Sequence, residues 1–206
     1  MTGRQAILTS WLIPVGLAIL AAIILFLAPD EATLGSGINS VYLHVSLIWA
    51  GMAVLIAAGL LGLIAAITNR PGWRRWARSA GWIGLAFFAA GFGMSVIAAI
   101  DNWGGVFWQE PRNATALNVI AITLIVQVVS ILLVATRWLP LIHLIPAGIL
   151  VYGTVITPLV LHPPNAAATS PPAIQATFLG LFFLALLFAG WLLARLNLKP
   201  AKASAG

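Results

Sequence analysis

Two histidines and one aromatic loop are the residues of this chain whose types and spacing could do chemistry. His44 lies in Val41-Tyr42-Leu43-His44-Val45-Ser46, and His162 lies in Leu161-His162-Pro163-Pro164. Between them runs Asp101-Asn102-Trp103-Gly104-Gly105-Val106-Phe107-Trp108-Gln109-Glu110-Pro111-Arg112. Imidazole is a strong ligand for haem iron. A porphyrin is a flat apolar disc with two carboxylate tails. Aromatic side chains can cover its face, and an arginine can pair a propionate. Trp103, Phe107 and Trp108 suit the first task, and Arg112 suits the second. Gly104 and Gly105 would let the backbone approach a bulky ligand closely.

Each residue also has a plainer reading. Tryptophans anchor helices at both membrane interfaces, and Trp49, Trp73, Trp76, Trp82, Trp138 and Trp191 are read that way. A histidine at a helix end can be a tolerated interfacial residue. Arg112 can make a surface pair with Glu110 that is worth little. Asn113-Ala114-Thr115 fits a glycosylation sequon, but reads better as the cap of a helix. His143 is read as an interfacial or packing residue. Two histidines also suit a metal site, but no carboxylate–histidine spacing supports one. No Ser–His pair, paired carboxylates or Gly-rich phosphate loop is visible.

The elements that must position these residues are apolar runs. Of the 206 residues 62% are hydrophobic and 7% charged, against about 25% charged in a soluble domain. Lipid must therefore be the solvent for most of the surface. Six runs can each cross a hydrocarbon core that needs about 20 helical residues. They are 7–28, 41–68, 80–100, 115–136, 139–161 and 173–194. The expected fold is all-α: a polytopic membrane protein of six transmembrane helices in a single domain over 1–198, with a short polar tail over 199–206. The first run is too long for a signal-peptide core and is read as a retained helix. Pro14, Pro146 and Pro158 are expected to bend their helices, and Gly81, Gly84, Gly91 and Gly93 to permit close helix packing.

Charge sets the orientation. Arg4, Arg70, Arg74, Arg75, Arg78, Arg137, Arg195, Lys199 and Lys202 fall on one side of a six-span chain. Asp30, Glu31, Asp101, Glu110 and Arg112 fall on the other. Basic residues collect in the cytoplasm, so both termini are expected there. The net charge of +6 is thus topological, and no nucleic-acid partner is expected. No run interior holds Asp, Glu, Lys or Arg, which argues against an ion-coupled transporter or a retinal protein. With no cysteine, disulfides, thiolate metal sites and Fe–S clusters are excluded.

The pattern resembles the cytochrome c assembly protein family, most closely the haem exporter protein C type. That family has six helices and an outer loop of the form Trp-Gly-x-x-Trp-x-Trp-Asp-x-Arg. The matching stretch here is Trp103-Gly104-Gly105-Val106-Phe107-Trp108-Gln109-Glu110-Pro111-Arg112. The family's His-Val-Pro-x-x-Trp reads His44-Val45-Ser46-Leu47-Ile48-Trp49, and its second outer histidine reads Leu161-His162. Phe107, Glu110 and Ser46 depart from the family's Trp, Asp and Pro. Thr157-Pro158-Leu159-Val160 stands where the family has a polar, aromatic run.

The resemblance implies that the chain holds haem b transiently on its outer face and presents it to a membrane-anchored haem chaperone. It implies work beside ATP-binding-cassette subunits of the cytochrome c maturation system. The setting would be the bilayer of a prokaryotic inner membrane, with the site facing the periplasm or cell exterior. It makes His44 and His162 the axial iron ligands and the loop from Trp103 to Trp108 the haem platform and partner surface. Arg112 as a propionate contact is inferred from charge, and Asp101 and Glu110 would orient neighbours or meet the partner. The competing expectations are a non-haem structural or permease subunit of a membrane complex and, third, a membrane redox enzyme carrying b-type haem.

Overall fold

In the computed structural model, residues 11–134, 136–158 and 166–198 are described. They form helices α1 (Leu12–Phe26), α2 (Ile38–Thr68), α3 (Pro71–Trp103), α4 (Pro111–Leu132), α5 (Leu144–Ile156), the one-turn α6 (Ala166–Thr169) and α7 (Pro172–Asn197). A 3-10 turn, Leu139–His143, leads into α5. Among the described residues, five spans are long and apolar enough to cross a membrane: α2, α3, α4, Leu139–Ile156 and α7. The described part of α1 is apolar but 15 residues long. The rest of the run expected at its start lies outside the described residues.

The helix ends differ from the hydropathy boundaries for local reasons. Asn69 takes φ 51°, the left-handed conformation that closes a helix. Pro71 then opens α3 at a position where its missing N–H costs nothing. The α2–α3 connection is therefore two residues, Asn69 and Arg70, with the Arg74 guanidinium donating to the Asn69 side chain. Arg74, Arg75 and Arg78, expected between helices, stand on the first turns of α3, because nothing in Trp-Arg-Arg-Trp-Ala-Arg stops a helix. Pro14 lies in the first turn of α1 and Pro158 beyond the end of α5, so neither bends a helix. Arg137 donates from Nε to the Ala66 carbonyl at 3.0 Å, supplying a cation to the C-terminal carbonyls of α2.

The helices pack through small residues. A Cβ at Gly51 would lie 2.5 Å from the Phe88 amide nitrogen, and one at Gly91 2.7 Å from the Ile48 nitrogen. A Cβ at Gly84 would lie 2.8 Å from Leu55 Cγ. The backbones of α2 and α3 thus touch along one seam. Gly93, expected to pack likewise, has no neighbour within 4 Å. Around the seam, Ala50, Val54, Ala58, Ala80, Ile83, Phe87 and Ala189 form a core joining α2, α3 and α7. A second cluster, Ile38, Tyr42, Ile174, Phe178 and Leu181, receives α1 through Ala21, Ile24 and Leu25. Trp49 meets the Phe182 ring edge-on at 6.0 Å, and Trp191 is 7% exposed beside Phe188. These two tryptophans are packing residues, not the interfacial anchors their type suggested.

The order of the helices puts Arg70, Arg74, Arg75, Arg78, Arg137 and Arg195 at one end of the bundle. Asp30, Glu31, Asp101 and Glu110 lie at the other. There the Glu31 carboxylate accepts from Thr33 Oγ1 at 2.5 Å, Leu34 N at 2.9 Å and Thr33 N at 2.8 Å. These bonds, led by the Thr33 hydroxyl, hold its pKa below the usual carboxylate value. The hold on this turn is present above the ordinary pKa and is lost as pH falls through the lowered one.

The seam makes a direct prediction. Gly51→Ala lowers stability by about 1–3 kcal/mol through overpacking, whereas Gly93→Ala does not. Thermal unfolding of the detergent-purified protein, followed by circular dichroism, measures both.

Candidate functional site

His44 stands six residues past Ile38, about 9 Å along α2, and so nearly two turns inside the helix, not at its mouth. Its Nδ1 lies 2.9 Å from the Gly91 carbonyl oxygen on α3. A carbonyl can only accept, so Nδ1 donates, and in the neutral ring the lone pair is on Nε2. A metal-ligating histidine usually makes this same bond with its second ring nitrogen, which fixes the tautomer and raises the basicity of the ligating one. The close approach at Gly91 brings the carbonyl within reach.

Farther along α2 than His44, an apolar floor is formed by Leu55, Phe88, Val119 and Leu150, with Ile48 and Ala116 packed against it. One helical turn is about four residues. His44 is one turn beyond Ile48, Arg112 one turn beyond Ala116, and Thr154 one turn beyond Leu150. A polar layer from α2, α4 and α5 therefore sits on that floor at the acidic end of the bundle. Within it, Arg112 Nη2 donates to the Thr154 carbonyl at 3.3 Å. Arg112 Nε is buried with no partner among the described residues. Thr115 Oγ1 and Thr157 Oγ1 share a hydrogen at 3.0 Å and tie α4 to the end of α5.

The aromatic loop stands farther out. Trp103 is twelve residues past Gly91, about 18 Å of helical rise, so it lies beyond the His44 layer and not around it. Gly104, at φ 73°, donates to the Ile100 carbonyl at 2.9 Å and turns the chain out of α3. Its left-handed conformation explains the glycine without a ligand. The loop then returns to α4. The Phe107 carbonyl accepts from Asn113 Nδ2 at 2.8 Å and from Glu110 N at 3.0 Å, which sets Phe107 over the first turn that carries Arg112. Asn113 therefore ties down the loop, while Glu110 holds the N-cap position. Trp103, Phe107 and Trp108 are 46%, 41% and 59% exposed, three adjacent apolar surfaces facing out. Glu110 is 4% exposed. Asp101 is exposed.

His162 lies outside the described residues, so the structure gives His44 without the second expected ligand. His143 is 2% exposed and packs beside Gly62. Two residues escaped the sequence reading. Asn102 Nδ2 lies 2.9 Å from the Ala98 carbonyl, 3.1 Å from the Gly37 carbonyl and 3.3 Å from Ser40 Oγ, clamping the end of α3 to the start of α2. Its place directly before the Trp-Gly stretch was the available signal. Gln127 is fully buried in the notch left by Gly81, with neither amide atom partnered among the described residues. No signal in one sequence joins those two positions.

No model of a known protein family matches the chain, and no curated protein matches it. Asn102→Ala is expected to release the outer end of α3. Hydrogen–deuterium exchange should then rise several-fold in peptides covering 99–110 and stay unchanged in the buried middle of α2.

Proposed function

We propose that this chain handles haem: it holds the cofactor on its outer face and presents it to a membrane-anchored haem chaperone during cytochrome c maturation. On this reading it belongs to the cytochrome c assembly proteins of the haem exporter protein C type. It crosses a prokaryotic inner membrane six times, with α1 as the first span, both termini cytoplasmic and the site toward the periplasm or cell exterior. ATP-binding-cassette subunits are its partners, and haem b is its cargo.

The observation that carries the reading is the hydrogen bond from His44 Nδ1 to the Gly91 carbonyl, nearly two turns inside the start of α2. This bond leaves the lone pair of a neutral ring on Nε2, the tautomer that an axial ligand uses. Arg112 Nε adds a buried donor lacking a partner among the described residues, which a propionate oxygen would satisfy. The exposed rings of Trp103, Phe107 and Trp108 offer apolar cover and a surface for a chaperone. His162 is the second axial ligand in this proposal. Ser46, where the family has proline, donates to the Phe178 carbonyl at 3.2 Å and binds α2 to α7. The departure therefore has a packing cause that leaves His44 in place.

A second reading, a structural subunit without haem, is favoured by the bond from Arg112 to the Thr154 carbonyl, which gives that arginine a purely architectural task. The deciding measurement is the absorption spectrum of the purified chain from a haem-replete host. Haem handling gives a Soret band that is largely lost in His44→Ala and in His162→Ala, and that added imidazole restores. Arg112→Gln keeps the band but weakens haem affinity by about tenfold, the loss of one charge-assisted hydrogen bond. A parent chain with no Soret band even after haem titration leaves the structural subunit as the better description.

A further inference from the structure

At the arginine-rich end, away from the His44 layer, an open groove of about 610 Å³ lies between α2, the start of α3 and the end of α7. Its lining is Leu61, Arg70, Gly72, Trp73, Trp76 and Leu193. The volume falls within the range of about 300–1,000 Å³ typical of small-molecule clefts. The walls are two indoles and two leucines, and a Cβ on Gly72 would meet nothing within 4 Å. One end is marked by charge. Arg70 is exposed and occupies the N-cap of α3, where no side chain caps the first turn. The positive end of the helix dipole therefore adds to the charges of Arg70, Arg74, Arg75 and Arg78.

Among the described residues no acidic side chain lies at this end. The four carboxylate residues of the sequence are Asp30, Glu31, Asp101 and Glu110, all at the opposite end. Arg74 bonds to the Asn69 amide oxygen and Arg75 to the Asn197 carbonyl, which are neutral acceptors. The Nε atoms of both are buried with no partner among the described residues. Residues 1–10 and 199–206 contain no acidic side chain.

We propose that this groove is a binding site for one anionic phospholipid, with an acyl chain between Trp73, Trp76, Leu61 and Leu193 and the headgroup phosphate on Arg70 and the first turn of α3. The chemistry fits at both ends. Apolar walls take a hydrocarbon chain, indoles sit at headgroup depth, and basic pockets between membrane helices attract acidic headgroups. The site is independent of haem, and its failure would leave the reading of His44 untouched.

The test uses the full chain in phosphatidylcholine nanodiscs. Brominated phosphatidylglycerol or brominated phosphatidylcholine is added at equal mole fraction, and quenching of tryptophan fluorescence is followed. The acidic lipid should quench more, with the excess saturating at low mole fraction and surviving 0.5 M salt. The excess should vanish in the Trp73→Phe/Trp76→Phe variant and fall several-fold in Arg70→Gln/Arg74→Gln. Equal quenching by the two lipids in the parent protein, which needs no variant to fold, overturns the proposal. An excess that persists without Trp73 and Trp76 also overturns it, because the lipid then gathers elsewhere. So does an excess that soluble glycerol phosphate removes as effectively as the lipid itself, because the site then takes only an anion.

Discussion

The contact on which the arrangement depends is the backbone-to-backbone approach of α2 and α3. Gly51 meets Phe88, Gly84 meets Leu55 and Gly91 meets Ile48, so the register between the two helices is held across their middle turns. Lipid provides no hydrophobic driving force between helices, and close packing of small residues must supply the attraction instead. With the register held, the Gly91 carbonyl falls beside His44 and Asn102 falls beside Gly37. The orientation of the imidazole and the anchoring of the outer loop are two results of one seam.

Charge does the complementary work at the ends. Acidic side chains occupy one end and guanidinium groups the other, and the arginines also serve locally. Arg137 meets the last carbonyls of α2, Arg74 closes the α2–α3 turn, and Arg195 lies over the Trp11 ring at 4.3 Å. Charges that set topology in the sequence thus also terminate and fasten helices. Among the described basic residues only Arg112 lies with the acidic ones, and it reaches across to α5.

Much of the fold was legible because a helix in lipid must be long and apolar, which hydropathy detects directly. The ends were not legible where arginine and tryptophan continue a helix as readily as leucine does, as at Trp73–Arg78. His44 could be singled out by type, but its donating Nδ1 depends on a carbonyl 47 positions away in the chain. Trp103 and Trp108 were conspicuous in composition. Their place beyond the His44 layer follows from the continuation of α3 to Trp103, which an apolar window ending at Ile100 does not register. Gln127 was hidden for the same kind of reason: it fits a notch made by a glycine on another helix.

The unequal lengths of the helices have a consequence for the surrounding bilayer. At 1.5 Å per residue α2 and α3, of 31 and 33 residues, run about 46 and 50 Å. The span over Leu139–Ile156, of 18 residues, runs under about 30 Å. A hydrocarbon core of about 30 Å fits the short span and the apolar run 80–100 of α3, whose first turns carry arginines, but not the apolar run 41–68 of α2, about 42 Å. Lipid beside α2 must therefore thicken or let that helix tilt while staying relaxed on the opposite flank, at a cost of fractions of a kcal/mol per Å of mismatch. That gradient gives the molecule a thick side and a thin side. The thick side is where a neighbouring protein with equally long apolar helices would relieve the most membrane deformation by settling against it.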